Sequence, residues 1–416
     1  GPAPGGGPGV AYTTTFAYDA LGRQSSRSVG TRGLPGADLS LLGIGMITFT
    51  HDTCTNGVGR LCEVSFPNGV LTTSLSYDAE GNVTEERRQF DFAGATGERV
   101  ARTTYGPGGK VVEQTYGDHS VMQVAGVNLP MDDGTRATFE YDQRHLPLLV
   151  RWEKKQPATV AVQVRNVAGL VTRRETHLLT QGWAELSSDW VYDPLTRVVS
   201  QTVTAEHGPP LPQTVVLAKQ QFDYFGQDDP SRLRHWLGSA YYDFAYEFDR
   251  RHQLAGVAED GGRMDAAYTF TTAGKLASAI VGGTPAPGGE LVARKVTYEY
   301  ASPADPEAVS ALRDNQGGAL RSYTYDTVGS MVTRSDGGPP ELFVYDGEDQ
   351  LRRATRTGPG AGVEEYFYDH AGHRAAVVTR DAGGAVESGR VFFGDAQDVL
   401  SPTGWATQAH AHLSLG

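Results

Sequence analysis

Tyr323-Thr324-Tyr325-Asp326-Thr327-Val328-Gly329 is the stretch that decides the fold. In a strand, alternate residues share a face, so Tyr323 and Tyr325 stand side by side. Asp326 then opens a turn, where its carboxylate can accept backbone N–H bonds, and Gly329 supplies the positive φ that closes it. A polar residue and a second alternating stretch follow, which makes one β-hairpin. The same aromatic-x-aromatic-Asp signature recurs along the chain. It ends at Tyr18-Asp19, Tyr77-Asp78, Tyr141-Asp142, Tyr192-Asp193, Phe248-Asp249, Tyr345-Asp346 and Tyr368-Asp369. Gly22, Gly81 and Gly372 repeat the glycine three residues after the aspartate.

The period is short. From Tyr325 to Tyr345 is 20 residues, from Tyr345 to Tyr368 is 23, and from Phe248 to Phe270 is 22. Spacings of this size mean stacked supersecondary units rather than separate domains. Copies at Tyr268-Thr269-Phe270-Thr271 and Tyr298-Glu299-Tyr300-Ala301 keep the aromatics without the aspartate, which makes the aromatic pair the stricter requirement. Helix signals are scarce, and the best candidate is Asp305 to Leu312, equally readable as an insertion between hairpins. Segments 30–46, 117–136, 205–218 and 282–290 are rich in Gly, Pro or Asp and read as surface loops.

Composition agrees with a thin β structure. Hydrophobic residues make up 39% of the 416, below the roughly 45–50% of ordinary globular domains. There are 52 glycines and 19 tyrosines against 5 methionines, which suits turn-rich strands better than a thick helical core. A curved single layer of hairpins with water on both sides needs few aliphatics. Tyrosine fits it, because the ring packs across strands while the hydroxyl stays hydrated. The expected class is all-β, built of repetitive antiparallel hairpins, with aromatic ladders across successive strands.

A net charge of −13 argues against a nucleic-acid surface. No run of 18 apolar residues is present, so no transmembrane helix is expected. Residues 1–10, beginning Gly1-Pro2-Ala3-Pro4, read as a cleavage remnant and flexible linker, leaving 11–416 as one continuous array. Cys54 and Cys62 flank the Asn56-Gly57 turn, which could bring the sulfurs within bridging range; a hairpin disulfide and two free thiols both remain open. A disulfide would favour an exported protein.

The residues resemble the Rhs/YD-repeat family, which includes bacterial Rhs toxins, the B–C components of insecticidal toxin complexes and animal teneurins. Its repeat, Tyr-Asp-x-x-Gly-Arg-Leu with variation, is matched best by Tyr18-Asp19-Ala20-Leu21-Gly22-Arg23, Tyr77-Asp78-Ala79-Glu80-Gly81-Asn82 and Tyr368-Asp369-His370-Ala371-Gly372-His373-Arg374. Asn56-Gly57-Val58-Gly59-Arg60-Leu61 is similar to a common variant. The match runs from about residue 12 to 400. The resemblance implies a sheet that spirals into part or all of a hollow shell. It also implies secretion, and as partners the remainder of an Rhs polypeptide and a C-terminal toxin or cargo. The family's Asp-Pro-x-Gly-Leu-like core segment has no counterpart, so the array reads as ending before it.

Candidate chemistry is thin. His370 and His373 occupy a repeat turn without the helix face that aligns zinc-protease histidines. His410 and His412 share a strand face, and Asp132-Asp133 and Asp228-Asp229 are neighbours in sequence that point apart. Asp346-Gly347-Glu348-Asp349 lacks the ligand spacing of a calcium loop and reads as a solvated turn. No catalytic, metal or cofactor residue is expected. The main expectation is a non-catalytic container wall. Its rivals are an extracellular adhesion or carbohydrate-binding module using aromatics such as Trp183 or Trp236, and a hydrolase in an insertion loop.

Overall fold

The computed structural model describes residues 14–30, 42–92, 95–119, 122–124, 127–129, 135–154, 156–178, 183–207, 214–226, 228–260, 265–282, 294–303, 305–358, 360–393 and 396–400. The described residues form 32 strands and no α-helix. The expected all-β class of antiparallel hairpins holds throughout. Most strands pair with their neighbours in sequence, as Thr14–Tyr18 does with Gln24–Val29 and Leu71–Tyr77 with Val83–Phe92. One inserted hairpin, Met122–Val124 with Val127–Leu129, interrupts the meander, so Lys110–His119 pairs onward with Thr135–Tyr141.

Three segments differ from the sequence reading. The 117–136 stretch carries the inserted hairpin instead of one loop, because Val124, Val127 and Leu129 support short strands. Strands also run to His207 and resume at Thr214, which shortens the loop expected over 205–218. Asp305 starts only a turn, with its carboxylate accepting from Glu307 N and its carbonyl from Ala308 N, before strand Ala311–Arg313 begins.

The chain divides into two units, residues 1–138 with 324–416, and residues 139–323. Their interiors differ. In the second unit the buried apolar side chains among the described residues are Ala205, Val257, Ala266 and Ala279, so hairpins there form a layer with little to hide. Cross-strand aromatic contacts supply part of its cohesion: Trp236 faces Tyr241 at 5.1 Å and His235 faces Tyr242 at 6.3 Å, each pair directly in register.

In the first unit the layer meets itself. Early residues Val29, Ile47, Val64, Phe66, Leu71, Phe90 and Phe92 join late residues Phe367, Ala376, Val378 and Val391 in one buried cluster. Phe92 and Phe367 meet with ring centroids 4.8 Å apart, and Phe90 stacks on Phe92 at 5.0 Å. Burying a phenylalanine in such a cluster is worth about 2–3 kcal/mol. This unit therefore has a dry core that the repeat pattern alone does not predict.

Candidate functional site: the aspartate turn and its stitches

Every described signature aspartate folds the chain the same way. The carboxylate Oδ1 accepts the backbone N–H groups two and four residues on. For Asp19 these are Leu21 and Arg23 at 2.9 Å, and for Asp142 Arg144 at 2.8 Å and Leu146 at 2.9 Å. Asp78, Asp193, Asp249, Asp326, Asp346 and Asp369 do likewise. Backbone bonds lock the loop, as with Asp19 N to Arg23 O and Gly22 N to Asp19 O. The fourth residue takes the left-handed conformation, with φ of 77° at Gly22, 97° at Gly81 and 85° at Gly372. His145, Thr196, His252 and Asp349 take it without being glycine. A bulge sits at the residue before the aspartate in the hairpins of Tyr18, Tyr77, Tyr192, Phe248, Tyr345 and Tyr368.

Four of these carboxylates, Asp19, Asp78, Asp142 and Asp249, are held low by groups of the turn itself. The Leu146 and Gln253 backbone N–H groups keep Asp142 and Asp249 below the usual carboxylate range, and the Arg23 N–H does so for Asp19. For Asp78 the Asn82 side-chain amide is the largest cause. A carboxylate held low and turned onto its own backbone is a poor proton donor at neutral pH.

Tyrosines at the end of a hairpin's first strand, before an aspartate at Tyr77 and Tyr192 and before another residue at Tyr105, Tyr224 and Tyr300, have a second task. Tyr105 donates its hydroxyl to Val83 O at 3.0 Å, Tyr192 to Val171 O at 2.8 Å, Tyr224 to Val198 O at 2.7 Å and Tyr300 to Leu276 O at 2.8 Å. Tyr77 bonds Leu61 O in the same manner. Each acceptor opens the second strand of the preceding hairpin, so the tyrosines are rungs between hairpins. This corrects the expectation that their hydroxyls stay hydrated. The residue after the positive-φ position stacks on the next aromatic: the Arg197 guanidinium lies 4.5 Å from the Tyr224 ring centre and Lys275 Nζ 5.1 Å from that of Tyr300.

Three further turns escaped the aromatic signature. Asn166, Asp314 and Asp381 make the same paired bonds, to Ala168 and Leu170, Gln316 and Gly318, and Gly383 and Ala385. Each follows an arginine instead of a tyrosine. Arg165, Arg313 and Arg380 donate to the carbonyls of Gly169, Gly317 and Gly384, clasping their own turn. Arg-(Asp/Asn)-x-x-Gly was the available signal.

Cys54 and Cys62 are joined in a disulfide, with Cα atoms 5.3 Å apart. The turn they staple is an enlarged copy of the repeat: Asp52 N bonds Arg60 O, and Asp52 Oδ1 accepts from Gly59 N at 2.6 Å. A Cβ at Gly57 would collide with both sulfurs, which fixes glycine there. Asn56 Nδ2 reaches Tyr77 O at 2.8 Å and ties the loop to the next hairpin.

The other candidates are dispersed. Asp228 points toward Arg197 and Asp229 toward His252, as expected of neighbours on a loop. His370 is largely buried against Phe49, whereas His373 is exposed. Asp346 is not in a solvated turn: it is fully buried, with Oδ2 accepting from Arg352 Nε at 2.6 Å, because its turn lies against Gly30, whose carbonyl accepts from Gly347 N at 2.8 Å. Trp236 packs on Tyr241 and under Lys219. No group of three His, Cys, Asp or Glu arranged to hold a metal occurs among the described residues. His410, His412, Asp132 and Asp133 lie outside them, and nothing is described of the Trp183 side chain.

A chain of antiparallel hairpins, each closed by an aspartate turn and stitched to its neighbour, is the class this geometry defines. No family model and no curated protein matches the sequence. Solved structures match the fold. The crystal structure of TcdB2-TccC3-TEV aligns over 94% of this chain and 22% of its own, at 12% identity and a TM-score of 0.50. TcdB2-TccC3 without its hypervariable C-terminal region aligns over 96% and 23%, at 11% identity and 0.41. The Photorhabdus luminescens Tc holotoxin pore aligns over 94% and 27%, at 11% identity and 0.31. The chain thus spans about a quarter of the length of these proteins. In both its repeat and its fold it resembles the Rhs/YD-repeat proteins.

Proposed function

We propose that this chain is a non-catalytic wall segment of a secreted Rhs-type polypeptide, and that the wall encloses a toxin or other cargo continuous with it. One observation carries the reading. The signature carboxylates bind their own backbone inside the turns, and the hydroxyls of Tyr77, Tyr105, Tyr192, Tyr224 and Tyr300 bind the preceding hairpin, so these repeated polar groups are engaged in holding the fold. The disulfide fits an oxidising compartment. The TcdB2-TccC3 likeness supports a shell-forming role by fold. Protease protection tests it: in the full polypeptide, the cargo segment is expected to survive a protease that digests the same segment expressed alone. Equal digestion rates with the hairpins intact would refute enclosure.

A further inference from the structure

The first unit closes along a seam where strands Gln24–Val29, Met46–His51 and Val83–Phe92 meet the Asp346 and Asp369 turns. Arg27 crosses it twice, to Glu348 at 3.3 Å and to the carbonyl of His370 at 3.2 Å. Arg88 reaches Asp369 at 3.6 Å. His370 sits in the middle, edge-on to Phe49 with centroids 6.3 Å apart, and its buried Nδ1 has no hydrogen-bond partner among the described residues. The charges that act on it come from every side: Arg27 and Glu86 with Arg88 from the early strands, and Asp369 from its own turn. Glu348 stands beyond Arg27, and exposed His373 lies 3.6 Å from Asp369.

We propose that His370 is an acid-sensitive latch: neutral, it packs edge-on against Phe49 and the seam stays shut; protonated, it adds a partly buried cation beside Arg27 and Arg88 and the seam opens. The inference holds whatever the wall encloses. Burial is the largest cause that lowers His370 from its ordinary value of 6.5, with both arginines adding to it and Asp369 and Glu86 opposing. A lowered histidine contributes closure that is complete above about 6.5 and is lost as pH falls through the depressed value. Glu348 acts with the opposite sign. Burial raises it above 4.5, so its protonation favours the closed seam, and a His370 variant leaves that contribution in place.

Hydrogen exchange on the intact chain tests the latch, comparing pH 7.4 with pH 5.5 after correction for intrinsic rates. Each unit by which His370 is depressed shifts the open fraction up to about tenfold. The Gly347 amide and strand Gly362–Tyr368 are expected to lose protection at the lower pH, while Trp183–Tyr192 in the second unit does not. His370→Asn is expected to abolish that loss. Should Asn loosen the seam at neutral pH, His370→Phe keeps a ring on Phe49 and takes no proton. Unchanged protection in the natural chain at pH 5.5 overturns the proposal, as does an equal acid loss in the variant that stays closed at pH 7.4.

Discussion

Replacing Asp346 by alanine isolates what burial adds to an otherwise ordinary repeat turn. Its Oδ1 accepts from Glu348 N at 2.8 Å and Gln350 N at 3.1 Å, the same two bonds found in every copy. What differs is Arg352, whose side chain is 3% exposed and whose Nε lies 2.6 Å from Oδ2. Without the carboxylate, that guanidinium keeps Gln350 Oε1 at 2.9 Å and the Tyr368 ring face at 4.9 Å, but stays buried with its charge unmatched. Breaking such a pair from one side costs about 3–5 kcal/mol. Asp381→Ala is the control within the same unit: two equal turn bonds, to Gly383 N and Ala385 N at 2.9 Å, in an exposed turn, worth about 1–2 kcal/mol. In a unit of this size the Asp346 variant should melt about 6–20 °C lower, the control about 2–8 °C lower. Scanning calorimetry, with the contributions of the two units resolved, reads both. The paired replacement Asp346→Asn with Arg352→Met should recover at least half the loss, since the amide keeps a turn acceptor and the uncharged pair leaves no buried charge. If Asp346→Ala falls within about 1 kcal/mol of Asp381→Ala, the buried pair is not what holds this turn, and the reasoning fails.

Tyr192→Phe removes one rung and its bond to Val171 O; a loss of about 1 kcal/mol is expected from urea unfolding, and no loss would make the rung incidental. Thr196→Gly should raise stability by about 1 kcal/mol, because Thr196 is β-branched at φ 67° while other copies place glycine there. A lowered urea midpoint would contradict that strain. Asp52 is held at about 2, first by the Arg23 guanidinium and next by the Gly59 N–H. Its contribution is therefore present above 3.8 and lost as pH falls through about 2. Arg23→Gln should bring the Asp52 titration, followed by carboxyl resonance shifts, back toward 3.8, and an unmoved titration would assign the depression elsewhere.

The hairpin repeat was legible because its information is local. Alternation, an acceptor at the turn start and a residue tolerant of positive φ all lie within seven consecutive positions, as in Tyr323 to Gly329. The first unit's core was not, since it depends on which distant stretches meet. Nothing around Phe92 names Phe367 as its partner, and the burial of Asp346 follows from Gly30, more than 300 residues earlier. Tyrosine hydroxyl rungs fall between these cases. Spacing puts each tyrosine next to the preceding hairpin, but only the bulge before the aspartate settles where its ring points.

Asn166, Asp314, Asp381 and Thr271 show that the fold-back depends on neither the aspartate nor the aromatic alone. Thr271 keeps the fold-back without a carboxylate: Thr271 N bonds Lys275 O at 2.7 Å, and its Oγ1 accepts from Lys275 N at 3.1 Å. Asn166, Asp314 and Asp381 keep it without an aromatic before them. A short side-chain acceptor followed three residues later by a residue at positive φ therefore suffices for the turn, and tyrosine is not needed. A long donor at the preceding position adds a further bond, although Phe248 and Phe270 precede such turns without one. Tyrosine there reaches the neighbouring hairpin, and arginine reaches its own glycine carbonyl while pairing with a glutamate on the strand before it, as Arg313 does with Glu299 and Arg380 with Glu365. Tyrosine thus joins its hairpin to the preceding one through a hydroxyl, whereas arginine braces its own turn and adds an ion pair to the strand before it.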